Sequence, residues 1–383
     1  MGLVEAHSEV ILSAGSYGSP QILELSGIGS EEVLAAAGVD VVLSNPHVGE
    51  NLQDHCYMPL GFKVNPGIST LDDLVNETFF NEAYDQYLAD ASGPLAQVAL
   101  GGALLSASQI IPDATEYSAF KSEIDAMDFT STAVGREEQF SIVKRNLFDP
   151  KEAIAQHMNT ASGMNPEFAN DTTKLFAHSI PGNYFTILGV LEHPFSRGTV
   201  HIKSSNAADY PLIDPHYLEH PADIKILAQI VLHIQNSLAV TAPLSDLLVD
   251  NGTALQQEYT KLTPDNVESE VKRLLQTEYH PVGTCSMLPK EKGGVVDSKL
   301  KVYGVEKLRI VDASVFPLLP RANMQSLVYA VDERAADWIK ADLSKPQPAG
   351  PSKGRSDEAP GRGGSKPPGR RCPQGPPAPT QEC

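Results

Sequence analysis

The sequence predicts a two-part molecule, α/β at its start and α+β beyond, followed by a disordered tail. Three observations carry this expectation. A short apolar run, Glu9-Val10-Ile11-Leu12-Ser13-Ala14, feeds a glycine turn and then a helical pattern, the order of a parallel-sheet α/β unit. From residue 63 to about residue 185, acidic and aromatic positions mix at helical spacing, and strand-like runs return after it. From Lys345 onward, ten prolines and seven glycines in 39 residues leave almost nothing apolar to bury.

Taken in order, Gly15-Ser16-Tyr17-Gly18 reads as a tight turn after the first strand. Ser19 as N-cap and Pro20 at the first helical position predict a helix, with Ile22, Leu23 and Leu25 on its apolar face and Gly27 as its stop. A second short helix runs from Ser30 to Gly38, and Val39–Leu43 reads as a strand. Leu71–Tyr87 and Glu116–Met127 carry helical spacing. Tyr184–Leu191, Gly198–Ile202 and Leu212-Ile213 read as strands. Pro221–Leu238 and Pro264–Gln276 read as helices, the second capped by Thr263. Leu308–Val311 is a buried strand ending at Asp312, and Ser326–Lys340 a final amphipathic helix. There are no internal repeats.

The 383 residues suffice for two domains, and a 41% hydrophobic fraction with 12 Tyr and 12 Phe supplies a core. The formal net charge is −19, with +4 on the last 39 residues and −23 on the rest. A nucleic-acid partner is excluded on this balance, since a phosphate backbone calls for a basic face. Cys56, Cys285, Cys372 and Cys383 show no CxxC spacing, so no metal site is expected. No stretch reaches the roughly 18 apolar residues of a membrane span. Met1–Ala6 has neither a basic nor an apolar leader segment, so no signal peptide is expected. Asn76, Asn170 and Asn251 open Asn-x-Thr sequons of the kind secreted proteins carry, although three in this length is near chance. The compartment is not legible.

Three segments carry chemistry. The first is Gly15-Ser16-Tyr17-Gly18-Ser19-Pro20-Gln21-Ile22-Leu23-Glu24-Leu25-Ser26-Gly27-Ile28-Gly29, followed by Val48-Gly49-Glu50-Asn51-Leu52-Gln53-Asp54-His55. Glycines after a strand let backbone approach a ligand, and a helix start supplies free N–H groups. Alone, such glycines more often mark an ordinary strand-to-helix turn. The second is Tyr279-His280-Pro281-Val282-Gly283-Thr284-Cys285-Ser286-Met287. A residue before proline is pushed out of helical geometry, so the His280 ring projects from a loop; a lone histidine is still more often structural. The third runs from Gly293-Gly294-Val295-Val296-Asp297 through Leu308–Pro317 to Pro320-Arg321-Ala322-Asn323-Met324-Gln325-Ser326. Pro317 and Pro320 stiffen that loop, and Asn323, just before a helix, alone reads as a cap.

Together these strings closely resemble the glucose–methanol–choline (GMC) family of FAD-dependent oxidoreductases. The first resembles the family's second signature and the segment after it; His-Pro-Val-Gly-Thr-Cys-Ser-Met resembles its catalytic histidine segment. His193–Val200 and Leu212–Tyr217 resemble its carboxyl-terminal half. The resemblance runs from about residue 5 to about residue 342 and is thin from 65 to 185. It implies that 1–62 is a remnant of a flavin-binding α/β domain and 63–185 a variable substrate-binding region. Residues 186–344 would form the carboxyl-terminal domain, with an antiparallel substrate sheet and an end in the flavin domain; 345–383 is the tail.

The implied cofactor is FAD and the implied partner a small-molecule alcohol, oxidised at its CH–OH group by hydride transfer to flavin N5. His280 stands at the position of the catalytic base. Asn323 stands at a second active-site position that holds His in some members and Asn in others. Gly15, Ser19, Asn51, Asp54, His55, Asp312, Ala313, Met324 and Gln325 fall on cofactor-binding positions. One departure accompanies the match: no Gly-x-Gly-x-x-Gly occurs in residues 1–150, where the family holds the ADP part of FAD. The expectation is therefore a truncated member that does not hold FAD tightly and is inactive alone. A redox-neutral enzyme resembling hydroxynitrile lyases, and a non-catalytic fragment or binding subunit, are the alternatives. The alcohol, the electron acceptor and the oligomeric state are not legible.

Overall fold

A computed structural model describes residues 5–97, 101–168, 170–175 and 181–344; the expected tail lies outside the described residues. The chain opens with β1 (Val10–Leu12) and α1 (Gly15–Leu25), then β2 (Ile28–Gly29), α2 (Glu31–Ala37) and β3 (Leu43–Ser44). It continues through β4 (Cys56–Lys63), α3 (Glu77–Asp90), β5 (Gly101–Leu105), α4 (Ala107–Ile110), α5 (Ala114–Asp125), α6 (Arg136–Leu147), β6 (Ala155–Thr160) and α7 (Thr172–Leu175). The last stretch is β7 (Tyr184–Leu191), β8 (Thr199–His201), β9 (Leu212–Asp214), α8 (Pro221–His233), α9 (Val267–Leu274), β10 (Gln276–Thr277), β11 (Leu308–Ile310) and α10 (Gln325–Leu343).

A five-stranded antiparallel sheet of order β10-β4-β7-β6-β5 dominates the molecule. Its spine is the β4–β7 pair, in register over eight residues from Cys56 opposite Leu191 to Lys63 opposite Tyr184. Helix α8 lies on this sheet where β7 carries Gly189; an added Cβ there would sit 2.9 Å from Ile230 and 3.0 Å from Ile234. Phe62, Ile187, Leu191, Leu227, Ile230 and Val231 belong to the main apolar core so formed. Strand β4 runs unbroken through residues 62 and 63, where the sequence reading puts the end of the amino-terminal segment.

The smaller α/β part pairs β1 with β11 in parallel, 298 residues apart in register from Val10 and Leu308. Its core holds Leu23, Val48, Cys285, Val296, Ile310 and Val315, with Val331 and Trp338 of α10 packed on its edge. The guanidinium of Arg334 lies 5.0 Å from the Trp338 ring.

Several sequence expectations are corrected. The first strand is parallel but not buried, since Val10 and Ile11 are 45% and 44% exposed. Helix α1 starts at Gly15 rather than Ser19, and Pro20 falls inside it. The cause is long-range: the Ser19 hydroxyl donates to Asp312 at 2.5 Å instead of capping, and Gly15 N–H reaches the same carboxylate at 3.0 Å. The Val39–Leu43 strand shrinks to β3, because only Leu43 and Ser44 find a partner, in β2. Helix α9 begins at Val267, and Thr263 does not cap it; the Asn266 side chain accepts from Thr263 N–H at 2.7 Å. Gln276 belongs to β10. Only Ala335 of α10 is buried. Among the described residues, no helix is long and apolar enough to cross a membrane.

Candidate active site

The three sequence segments meet in space. Gln53 and Val282 exchange backbone hydrogen bonds at 3.0 and 2.8 Å, and Gly49 N–H donates to the Thr284 carbonyl at 2.9 Å. Gly283 has φ +99 and leaves no room for a side chain, since a Cβ would lie 2.3 Å from the Asn51 carbonyl. The Asn51 amide donates to Ser286 Oγ at 2.9 Å and to the Pro317 carbonyl at 3.1 Å. Gln53 accepts from Leu319 N–H at 3.1 Å, which brings in the third segment. Ser16 Oγ donates to the Pro281 carbonyl at 2.6 Å, so α1 also holds the histidine loop.

His280 is placed by its backbone. Its N–H donates to Asp54 at 2.8 Å, and that buried carboxylate also accepts from Thr277 at 2.5 Å and from the Tyr217 hydroxyl. Burial raises the Asp54 carboxyl above its usual range, opposed by the hydrogen bonds from Thr277, Tyr217 and His280. The His280 ring meets His55 edge to face, with the two Nδ1 atoms 3.1 Å apart. His55 is fully buried, and its Nε2 lies 3.0 Å from the main-chain oxygen of Glu192. Burial, then the nearby His280 and His193, hold its imidazole well below the ordinary histidine value.

Two acids complete the cluster. Glu278 places a carboxylate oxygen 3.5 Å from His280 Nδ1 and 3.9 Å from His55 Nδ1, and neither of its oxygens has a hydrogen-bond partner. Glu192 accepts from Ala322 N–H at 2.8 Å, and burial pushes its carboxyl up to about 7. The Arg321-Ala322-Asn323 loop is thereby tied to the residues that surround His55. Asn323 itself is exposed and does not cap α10, whose N-cap is Met324.

The expected cofactor positions divide into two groups. Gly15 N–H, the Ser19 hydroxyl and Asp312 satisfy one another, and the other Asp312 oxygen accepts from Ser314. Asp54 and His55 are likewise engaged inside the protein. Of the others, Met324 and Asn51 are buried, Ala313 is half-buried and Gln325 is exposed, and nothing lies within 4 Å of a Cβ built on Gly15. In the first turn of α10, Leu327 N–H already donates to the Met324 carbonyl at 3.0 Å, while the amides of Gln325 and Ser326 precede the first intrahelical bond, as at any helix start. Asn51 Oδ1 is buried with no hydrogen-bond partner.

Sequence reasoning missed Glu192, Tyr217 and Glu278. Glu192 had one signal, an acid directly after the apolar run Tyr184–Leu191. His55, Glu278 and His280 also offer three ligand-type atoms within 4.8 Å of one another, a set that no Cys or His spacing announces. Two of those atoms, the Nδ1 pair, already contact each other.

Two family models, both described as GMC oxidoreductase, match residues 2–57 and 194–331. A dehydrogenase of Armillaria gallica is 34% identical over 89% of this chain and 52% of its own length. An FAD-dependent oxidoreductase from Chaetomium thermophilum superposes with a TM-score of 0.74 at 28% identity, over 89% of this chain and 56% of that one. A fungal aryl-alcohol oxidase superposes with a TM-score of 0.70 at 28% identity, over 88% of this chain and 55% of that one. The chain spans about half the length of the relatives it matches.

Proposed function

Because this chain belongs to the GMC oxidoreductase family, we propose that it supplies the catalytic base and the substrate side of an FAD-dependent alcohol oxidoreductase. The observation that supports this is the setting of His280. Its backbone is pinned by Asp54, its Nδ1 faces a buried histidine, and no protein group among the described residues bonds its Nε2.

Several of these residues suit FAD. Gly15 leaves space beside it, Asn51 keeps a buried acceptor without a partner, and α10 presents amides beside Met324 and Gln325. Gly15, Asn51, Ala313, Met324 and Gln325 would hold it, while Ser19 and Asp312 brace the turn behind them. When bound, FAD supplies the two-electron acceptor for the hydrogen lost from the alcohol carbon. His280 takes the alcohol's hydroxyl proton at Nε2, since an alkoxide gives up hydride far more readily than an alcohol. Asn323 hydrogen-bonds the substrate oxygen and fixes its orientation. On this reading, 1–62 and the end of 186–344 form the flavin side, and 63–185 shapes the pocket for the alcohol.

The test is the anaerobic rate of flavin reduction by an alcohol in an FAD-loaded version of the chain that also carries the family's ADP-binding unit. His280→Ala is expected to lower it by roughly 10²–10⁴, the range for a general base. Reduction at a near-normal rate would remove His280 from this role.

A further inference from the structure

We propose that His55 is a positioning residue that sets the tautomer of His280 and so leaves Nε2 of His280 free to accept a proton. The inference rests on reading His280 as the base.

The direction follows from a single backbone carbonyl. A carbonyl oxygen only accepts, so the 3.0 Å contact to the Glu192 main-chain oxygen places a proton on Nε2 of His55. The Glu192 carboxylate, 3.5 Å from the same nitrogen, acts in the same sense. His55 is fully buried and its surroundings disfavour a second proton. In a neutral imidazole one nitrogen donates and the other accepts, so Nδ1 of His55 is bare. Nδ1 of His280 faces it at 3.1 Å, and a hydrogen bond forms there only if His280 is the donor. A neutral His280 with its proton on Nδ1 carries its lone pair on Nε2. The opposite tautomer would present an N–H to the substrate and could not take its proton.

Glu278 supports the same order. Its oxygen lies 3.5 Å from His280 Nδ1, on the donating side, nearer than to the bare His55 Nδ1 at 3.9 Å, and has no hydrogen-bond partner. Once Nε2 has taken the hydroxyl proton, the ring is an imidazolium beside a buried carboxylate, which stabilises the charge at the place it develops.

The tautomers can be read directly in the full chain labelled with ¹⁵N-histidine, from two-bond ¹H–¹⁵N correlations near neutral pH. His280 is expected as the Nδ1–H form and His55 as the Nε2–H form. His55→Leu removes the acceptor and should move His280 towards the Nε2–H form. His55→Gln, whose amide oxygen can accept, should restore the Nδ1–H form. In the FAD-loaded enzyme, His55→Leu should slow flavin reduction by ~10-fold or more, with KM changed far less and with Gln restoring the rate. An Nε2–H form of His280 in the unmodified chain, or an Nδ1–H form indifferent to His55→Leu, overturns the inference. The first of these needs no variant to fold. Normal flavin reduction by His280→Ala, with the Nδ1–H form intact, would instead refute the base assignment alone.

Discussion

His201 sits between Glu24 and Glu50, with ring-to-carboxylate distances of 2.7 and 3.2 Å. Burial alone would lower its imidazole, but the hydrogen bonds to Glu24 and Glu50 outweigh it and raise the ring to about 9. An unfolded histidine titrates near ~6.5. The stabilisation is therefore complete below that pH and is lost as pH rises through about 9. Urea midpoints should fall over this window, and His201→Gln should flatten the fall; an unchanged slope would remove His201 as its source. His201→Ala also strips a fully buried Glu24 of its charged partner and leaves it the Ile202 N–H, a loss on the order of 3 kcal/mol. At the active site, Asn323→Ala should weaken turnover less than His280→Ala, since one orienting hydrogen bond is worth roughly 1–3 kcal/mol. An equal loss would give Asn323 the primary role. His280, Asn51, Asp54 and His55 stood out as candidates because they lie in strings whose wording is specific. Glu192 and Glu278 were not, because an acid becomes part of a site only through its neighbours, and His55 is 137 residues before Glu192.

At the scale of elements, strand β7 was legible to the residue because Tyr184–Leu191 is one apolar run with clear ends. Strands β5 and β6 were not, since Gly-Gly-Ala-Leu-Leu and Ala-Gln-His-Met-Asn-Thr carry no alternation that marks a buried face. Their identity comes from pairing, β5 with β6 and β6 with β7. The start of α1 was misread for a related reason, as the partner that claims Ser19 lies 293 positions away. The contact between β7 and α8 gives this level its own test. Gly189 brings the strand against Ile230, Val231 and Ile234 with no space for a Cβ. Gly189→Val should force the helix outward and cost about 1–3 kcal/mol, as overpacking does. A melting temperature equal to that of the parent would mean that the helix can retreat without strain.

Among the described residues, the two largest apolar centres are of unequal size, one under the five-stranded sheet and one beside β1 and β11. The sheet buries all of β4 but Lys63, whereas β1, among the described residues, has a single partner strand and two exposed apolar side chains. Backbone amides of β4 and β7 should therefore exchange with solvent far more slowly than those of β1, because local opening costs least where burial is smallest. Equal protection in β1 and β7 would show the two centres opening as one unit. The smaller centre also contains Trp338, the chain's single tryptophan, pressed against apolar side chains with Arg334 over its face. All indole fluorescence from this protein thus originates at one point on α10, the helix whose first turn faces the proposed cofactor position. Its wavelength gauges whether that helix is seated. Because indole emission overlaps the absorption of oxidised flavin, its dimming on titration with FAD would report docking by energy transfer, with no substrate and no turnover required.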